Sequence, residues 1–202
     1  VVVPVNQYGM MASTVGQEAG TAMDGDAMGF MTALSDTING TSNLPSSAMS
    51  DTMILTRSMT VGPMTAGPMN GADTLLQTNV KRVDFLDGKG VRFVTAFGSP
   101  TSAITNESLY YVYHGLTNDG MYHVSAVLPL SSTVLPDSDS GTVSSPDLAF
   151  PSNPDDAQVQ TYLDNVMQAL DMPDNNGSSF SSRLLTYDQL IGSIDINSDS
   201  MP

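Results

Sequence analysis

The chain has no cysteine and no tryptophan, and only 6 of its 202 residues are Lys or Arg. The absence of cysteine excludes disulfides, thiolate metal sites, iron–sulfur clusters and a cysteine nucleophile. No apolar run approaches the roughly 18 residues of a membrane-spanning helix, which leaves peripheral membrane or cell-surface association open. Nucleic acid is excluded as a partner, because phosphate backbones are bound by clustered Lys and Arg.

Acidic, hydroxylated and apolar residues make up much of the chain. There are 21 acidic side chains, the net charge is −15, and 40% of the residues are hydrophobic. Nineteen of the acids are Asp, while Ser and Thr together number 44. This composition predicts a folded protein that acts outside the cytoplasm, either extracellular or at the cell surface. Since the chain opens at Val1 without an initiator Met or a signal peptide, we expect a processed or truncated product.

The pattern along the chain predicts one domain, 1–202, with two irregular stretches. Residues 39–74 are a Met-, Gly-, Pro- and Ser-rich loop insertion, and residues 131–152 are an acidic Ser/Asp loop. A strand is predicted at Val1–Val5 and a helix over 22–38 that ends at Asn39-Gly40, since Gly adopts a left-handed conformation cheaply.

The region 75–130 predicts four consecutive antiparallel strands. Apolar residues lead into a turn at Asp87–Gly90 and alternate again after it. A second hairpin joins the strand at Leu109–Tyr113 to the strand at Met121–Leu128 through a turn at Thr117–Gly120.

The C-terminal region predicts helices that cover this sheet. Asn153 is the predicted N-cap of a helix with Pro154 at its first position, and its apolar face is formed by Val159, Leu163, Val166, Met167 and Leu170. A short helix near 182–191 and a last strand at 193–196 follow. The predicted fold is α+β, an antiparallel meander sheet of about five to six strands covered by helices.

Two resemblances accompany these patterns. At Gly90–Val94, Ile104–Asn106, Leu109–Tyr113, Gly115–Gly120 and Tyr122–Pro129 the chain resembles an uncharacterised domain of secreted bacterial proteins of Chloroflexi-like lineages. That domain has no assigned chemistry, so the resemblance implies secretion and no catalytic residue. The order of elements also resembles the PsbP-like α/β/α sandwich, whose members are commonly accessory, protein-binding subunits; fold alone does not establish function.

The only histidines, His114 and His123, flank the second hairpin's turn. If Asn118-Asp119 is the two-residue loop, His114 lies directly opposite His123, and other even-length loops keep both on one face. Facing histidines can hold a metal, with Asp119 as the local third ligand. The alternative is a pair of partly exposed polar residues near the rim of the sheet.

Motifs of known catalytic chemistry are absent. The sequence lacks G-x-S-x-G, S-x-x-K, H-E-x-x-H, G-x-x-x-x-G-K and G-x-G-x-x-G. We therefore predict a protein that is not an enzyme and has no cofactor. A triad assembled from distant residues is an alternative that sequence order does not test.

Two acidic segments and one methionine repeat suggest weaker metal sites. Asp137–Gly141 and Asp195–Asp199 resemble fragments of calcium loops, and neither completes the pattern, so only weak surface calcium is predicted. Met59, Met64 and Met69 recur every five residues, and thioethers are copper(I) ligands. The alternative interpretation, a methionine-lined contact surface, is favoured here.

Charge is unevenly distributed along the chain. Lys81, Arg82, Lys89 and Arg92 lie on the first hairpin, whereas 136–202 contains eleven acids and only Arg183. Together with the three methionines, these four basic residues form a predicted interaction patch for self-association or an acidic protein partner. The alternative is that they solvate a hairpin edge. The predicted function is a non-catalytic structural or protein-binding component, such as a subunit of a surface assembly; the alternative is a metal- or small-ligand-binding module using His114 and His123.

Overall fold

The structure is a computed structural model and describes residues 2–5, 32, 34–40, 73–99, 101–171, 180 and 183–196. These residues form one antiparallel sheet with strand order β1-β5-β4-β3-β2. The strands are β1 Val2–Pro4, β2 Asp73–Phe85, β3 Gly88–Gly98, β4 Leu109–Thr117 and β5 Tyr122–Pro129. Strands β2 to β5 form the predicted meander, and the α+β class is confirmed. The five strands lie at the lower end of the predicted five to six: four long strands carry the sheet, and β1 adds only 3 residues at its edge.

The first hairpin turns earlier than its glycines indicated. Phe85 pairs with Gly88, so the turn consists of Leu86 and Asp87 rather than Asp87–Gly90. Gly88 and Gly90 belong to β3, where they make room for aromatic rings. A Cβ atom on Gly90 would lie 2.3 Å from the Tyr113 hydroxyl oxygen. The glycines are explained by packing against Tyr113 and Phe85 and not by turn geometry.

An irregularity in β2 connects the sheet to the first long helix, α1, which spans Asp156–Asp171. The register shifts between Thr78 and Lys81, and Asn79 has a φ of 53°. The Asn79 side-chain amide donates to the Leu170 carbonyl at 3.0 Å, and its backbone N–H donates to Asp171 Oδ1 at 3.1 Å. The bulge therefore satisfies polar groups at the C-terminal end of α1.

The start of α1 differs from the prediction. Asn153 is not the N-cap: it has a φ of 51°, and the helix begins at Asp156. Asp155 and Gln158 instead form a reciprocal capping pair, with Asp155 Oδ1 accepting from the Gln158 N–H at 2.8 Å and Gln158 Oε1 accepting from the Asp155 N–H at 3.0 Å. Asp155 therefore takes the capping role that the sequence assigned to Asn153, because its carboxylate accepts from the backbone N–H three residues ahead.

The second long helix, α2, spans Arg183–Gly192 and confirms the helix predicted near 182–191. Its buried residues are Leu184 and Ile191. The predicted strand at 193–196 is wrong. This segment crosses over the turn of the first hairpin and does not run alongside a strand of the sheet. The Leu86 N–H donates to the Ile194 carbonyl at 3.2 Å, and the Ile196 N–H donates to Asp87 Oδ2 at 2.7 Å.

The main core lies between one face of the sheet and the two helices. The predicted apolar face of α1 is confirmed at Val166, Met167 and Leu170, and Tyr162 joins it although the prediction omitted it. Leu135 and Leu148, from the stretch 131–152, are also buried in this core. That stretch therefore contributes to packing and is not only a solvated acidic loop.

Part of the N-terminal region is described. Residues 34–39 are helical, and Gly40 has a φ of 76°, which fits the predicted helix end at Asn39-Gly40. Residues 22–31 and the methionine repeat at 59–69 lie outside the described residues.

Candidate functional site

The sheet has a second buried face, on the side opposite the helices. Alternation along the strands places Val91, Phe93, Val112, His114 and His123 here, and all of them are at most 4% exposed. Within a single sheet, this face therefore combines apolar side chains with the only two histidines of the chain.

The two histidines are in direct contact across β4 and β5. His114 Nδ1 and His123 Nε2 are 3.0 Å apart, and the two ring planes are nearly parallel, 11° apart, with centroids 5.2 Å apart. In the observed register His114 pairs with Ser125 and His123 pairs with Leu116. The predicted opposition of His114 and His123 is wrong by two residues. Their predicted placement on one face is correct, because a two-residue shift preserves the alternation.

The histidine pair is buried, contrary to the alternative of partly exposed residues at the rim. His114 is 4% exposed and His123 is 2% exposed. β1 pairs with β5 beyond His123, so neither residue lies on an edge strand. Burial lowers the pKa of His123 to about 4 and holds the pKa of His114 well below its usual value, with His123 adding to the effect. At neutral pH one imidazole donates its N–H to the lone pair of the other.

Asp119 does not join the histidines as a third metal ligand. Its Oδ1 accepts hydrogen bonds from Thr117 Oγ1 at 2.5 Å and from the Met121 N–H at 2.9 Å. These bonds lower the pKa of this exposed carboxyl. Across the described residues, no three His, Cys, Asp or Glu side chains group as a metal site. Asp119 instead stabilises its own turn, as Asp side chains commonly do.

The two segments that resemble calcium loops do not form a calcium site within the described residues either. Asp137 Oδ1 accepts from the Asn106 side-chain amide at 2.8 Å, and the Gly141 N–H donates to the Ser138 carbonyl at 2.8 Å. Both contacts hold the loop itself. In the second fragment, Asp195 is described, whereas 197–199 lie outside the described residues.

The four basic residues of the first hairpin do not form one surface. Lys81 pairs with Arg92 on the helix-covered face, while Arg82 and Lys89 point to the opposite face. The prediction of a single basic patch is wrong in this respect, because side-chain alternation along β2 and β3 separates neighbours in sequence. Arg82 donates to the Thr37 carbonyl at 2.9 Å. Met59, Met64 and Met69 lie outside the described residues.

Arg92 is buried in an ion-pair network centred on Asp188 of α2. Arg92 Nε lies 3.3 Å from Asp188 Oδ1, and Lys81 Nζ lies 2.9 Å from Asp188 Oδ2. The Tyr111 hydroxyl also donates to Asp188 Oδ1, at 3.2 Å. Burial raises the pKa of Tyr111, and the neighbouring Asp188 carboxylate raises it further.

Only one member of this ion pair, Arg92, could have been recognised from the sequence. An arginine among apolar residues in Gly90–Val94 could have been recognised as buried and in need of a counter-ion. Its partner Asp188 could not have been recognised, because Asp188 is 107 residues away from Lys81 in the sequence and is one of many acids in the C-terminal region.

Exposed apolar side chains gather where the two hairpins turn. We call Leu86, Met121 and Leu190 the hairpin end; they are 66%, 59% and 53% exposed. The Asn118 N–H donates to the Asp87 carbonyl at 2.8 Å and joins the two turns. Leu190 belongs to the last turn of α2, whose Gly192 approaches the Asp84 carbonyl.

Comparison with protein-family models, curated proteins and solved structures finds no match for this chain. The resemblances to a secreted bacterial domain and to the PsbP-like sandwich therefore stay predictions. Within the described residues, no helix has the length and apolar character needed to cross a bilayer.

Proposed function

We propose that this protein is a non-catalytic, protein-binding component that works outside the cytoplasm and docks a partner through its hairpin end. The observation that carries the proposal is that Leu86 and Met121, each more than half exposed, lie at two turns joined by the Asn118–Asp87 hydrogen bond, while Leu190 is exposed on the last turn of α2. Burial of a large apolar side chain is worth roughly 1.5–3 kcal/mol, which a partner can recover on binding. Clustered exposed apolar residues are typical of interaction sites.

The charges around this end specify the chemistry of the partner. Asp84, Asp119 and Asp195 are exposed beside the apolar residues, and Lys89 is the exposed cation nearest to them in the sheet register. A partner with an apolar centre and a basic rim is complementary to such a surface. A second copy is a poorer partner, because the chain carries a net charge of −15.

A non-catalytic role is supported by where the buried ionisable groups are engaged. Arg92 and Asp188 pair with each other, Tyr111 binds the same carboxylate, and the two histidines bind each other. Groups engaged in this way hold the fold together and are not available at an open cleft to move a substrate's protons.

Site-specific crosslinking tests the proposal. A photoactivatable residue placed at Leu86 or at Met121 in the full chain, expressed in its native source, should give the same crosslinked protein from both positions. The matched control is Ala157, an exposed position at the start of α1, where the neighbouring Asp156 lies near Thr101 at the end of the sheet away from the two hairpin turns. A Leu86→Ser/Met121→Ser variant should lose co-purification of that partner while keeping its unfolding midpoint.

Two results would overturn the proposal. One is the same set of weak crosslinks from positions 86, 121 and 157. The other is a partner that still binds the double variant with unchanged affinity. Size-exclusion chromatography with light scattering across a salt series distinguishes self-association from binding to another protein. A dimer that strengthens with salt would point to a second copy as the occupant.

The alternative function, a metal- or small-ligand-binding module, is favoured by one distance. The two histidine nitrogens are 3.0 Å apart, close to the ~3.3 Å between two nitrogens bound to one tetrahedral zinc ion. Elemental analysis of the native protein and of His123→Ala distinguishes the two functions. Stoichiometric metal that disappears in the variant would favour the alternative, and a metal-free native protein would remove it.

A further inference from the structure

A polar cleft lies at the opposite end of the sheet from the hairpin end. It has a volume of about 300 Å³ and is bordered by the end of β3, the start of β4 and the loop that carries Asp139. We propose that this cleft binds one sugar residue of a neutral carbohydrate. The inference is independent of the proposed protein-docking role, because it rests on other residues at the other end of the molecule.

Two aromatic rings form one side of the cleft. Phe97 and Tyr110 project from adjacent strands, with ring centroids 5.6 Å apart and planes 56° apart. Both residues are half-buried and line the cleft. Aromatic rings in this position offer apolar faces to the C–H groups of a sugar, and the tyrosine adds a polar edge.

Carboxylates and hydroxyls form the other side. Glu107 and Asp139 are exposed and line the cleft, and among the described residues no group donates a hydrogen bond to either carboxylate. Ser99, Ser102 and Ser108 line it as well. The Ser102 and Ser108 hydroxyls donate to the carbonyls of Ser99 and Thr105 and so act toward a ligand as acceptors. Carboxylates likewise accept strong hydrogen bonds from ligand hydroxyls. A polyhydroxylated ligand matches this set of groups.

The charge of the cleft narrows the ligand class. None of the described residues that line it is Lys, Arg or His, so a phosphate, sulfate or uronate would meet only negative charge. A small cation would be attracted, but it would leave the aromatic pair and the serine hydroxyls without a role. A neutral sugar uses all three kinds of group at once.

The segments that carry these groups are fixed before any ligand binds. The Thr105 N–H donates to Ser108 Oγ at 3.1 Å, and the Ile104 N–H donates to the Tyr162 hydroxyl at 2.8 Å. The Asn106 N–H donates to the Pro136 carbonyl at 2.9 Å and joins the segment of Glu107 to the loop of Asp139. A preformed site loses less conformational entropy on binding.

The test starts with an array of neutral glycans, followed by calorimetry with a soluble oligosaccharide that binds. The full chain should bind at least one neutral glycan saturably, and the affinity should change less than twofold between low salt and 0.5 M NaCl, because no net charge is neutralised (~10 Å Debye length at 0.1 M). Glu107→Gln should weaken binding about tenfold, as expected when a charge-assisted hydrogen bond of ~1.4 kcal/mol is lost. Tyr110→Ala should abolish it.

Asp164→Asn is the matched control for the carboxylate, since Asp164 is exposed on α1 and outside the cleft; it should leave binding unchanged. Glu107 is itself exposed, so Glu107→Gln keeps the test valid even if Tyr110→Ala fails to fold. The proposal is overturned if no neutral glycan binds, or if Glu107→Gln and Asp164→Asn bind equally well. It is also overturned if a lysine oligopeptide binds instead and is released by salt.

Discussion

The two faces of the sheet bury polar groups by opposite means. On the helix-covered face, the charged Arg92 is neutralised by Asp188, with side chains only 9% and 10% exposed. On the other face, His114 and His123 are buried as neutral rings that bind each other. On the first face, the buried cation is stabilised by a carboxylate of opposite charge. On the second face, the buried rings are stable because they carry no charge.

This difference follows from the chemistry of the side chains. A guanidinium group cannot lose its proton at any accessible pH, so it can be buried only with a counter-ion. An imidazole can lose its proton near neutral pH, so burial neutralises it instead. The stability of the helix-covered face should therefore fall when the counter-ion Asp188 is removed, and the stability of the histidine face should fall in acid.

The largest effect is expected from Asp188→Ala. The substitution leaves Arg92 buried without its counter-ion, which should lower the free energy of unfolding by about 3–5 kcal/mol. Urea unfolding followed by circular dichroism measures the loss, and Asp164→Ala is the control because Asp164 is exposed on α1. The double variant Arg92→Met/Asp188→Leu should recover much of the stability. A loss below 1 kcal/mol for Asp188→Ala would contradict the role given to this ion pair.

Acidification should have the next largest effect, through the histidine face. His123 has a folded pKa of about 4, below its usual 6.5. The unfolded chain therefore takes up the proton first, so the stabilisation is fully present above pH 6.5 and is lost as the pH falls toward 4. The expected loss from His123 alone is roughly 2 kcal/mol by pH 5.

The measurement is the urea midpoint at pH 7.5, 6 and 5, compared with a His114→Gln/His123→Gln variant. The variant should show a smaller decrease over this range, since carboxylates titrate alike in both proteins. Parallel pH profiles would show that the histidine pair does not set the acid response.

A neutral hydrogen bond on the histidine face gives a smaller effect. Thr95 is fully buried, and its hydroxyl donates to the Leu76 carbonyl at 2.7 Å. Thr95→Val keeps the shape and removes the donor, so a loss of about 1 kcal/mol is expected. Thermal unfolding measures it, with the exposed Thr161→Val in α1 as the control. If Thr95→Val costs as much as Asp188→Ala, the contrast between charged and neutral burial fails.

The smallest effect is expected for Lys81→Met. Lys81 binds the same Asp188 carboxylate at 2.9 Å as a partner that is 56% exposed. Exposed ion pairs contribute about 0–1 kcal/mol, so the loss should be a fraction of that for Asp188→Ala and should shrink further in high salt. Equal losses for Lys81→Met and Arg92→Met, measured by urea unfolding, would mean that burial does not decide the strength of these two pairs.

Local patterns predicted the strands and helices better than their ends. The alternation around Phe93 and the Asn118–Gly120 turn signal located the hairpins, and the apolar spacing at Val166 and Leu170 located α1. The first turn was misplaced because Gly88 and Gly90 fit turn chemistry and close packing equally well. The cap of α1 was misplaced because Asn153 and Asp155 are both good caps, and only the contact with Gln158 separates them.

The candidate sites were predicted less completely. The shared face of His114 and His123 follows from the period of two along a strand, but β1, whose pairing with β5 keeps His123 off an edge strand, comes from the far end of the chain. The basic residues of the first hairpin were correctly located in sequence, and their separation onto two faces depended on the observed register. The role proposed for Glu107 could not be predicted from the sequence, since its cleft combines β3, β4 and the loop of Asp139.

The sequence by itself determined the class of the fold, the meander, the two C-terminal helices and the absence of thiolate chemistry, because these depend on composition and on periods of two and 3.6 residues. Only the tertiary structure decided which polar groups meet. Arg92 and Asp188, the two histidines, and Glu107 with Asp139 are brought together by packing across strands and loops. Such pairings depend on distances in space that local periodicity does not encode.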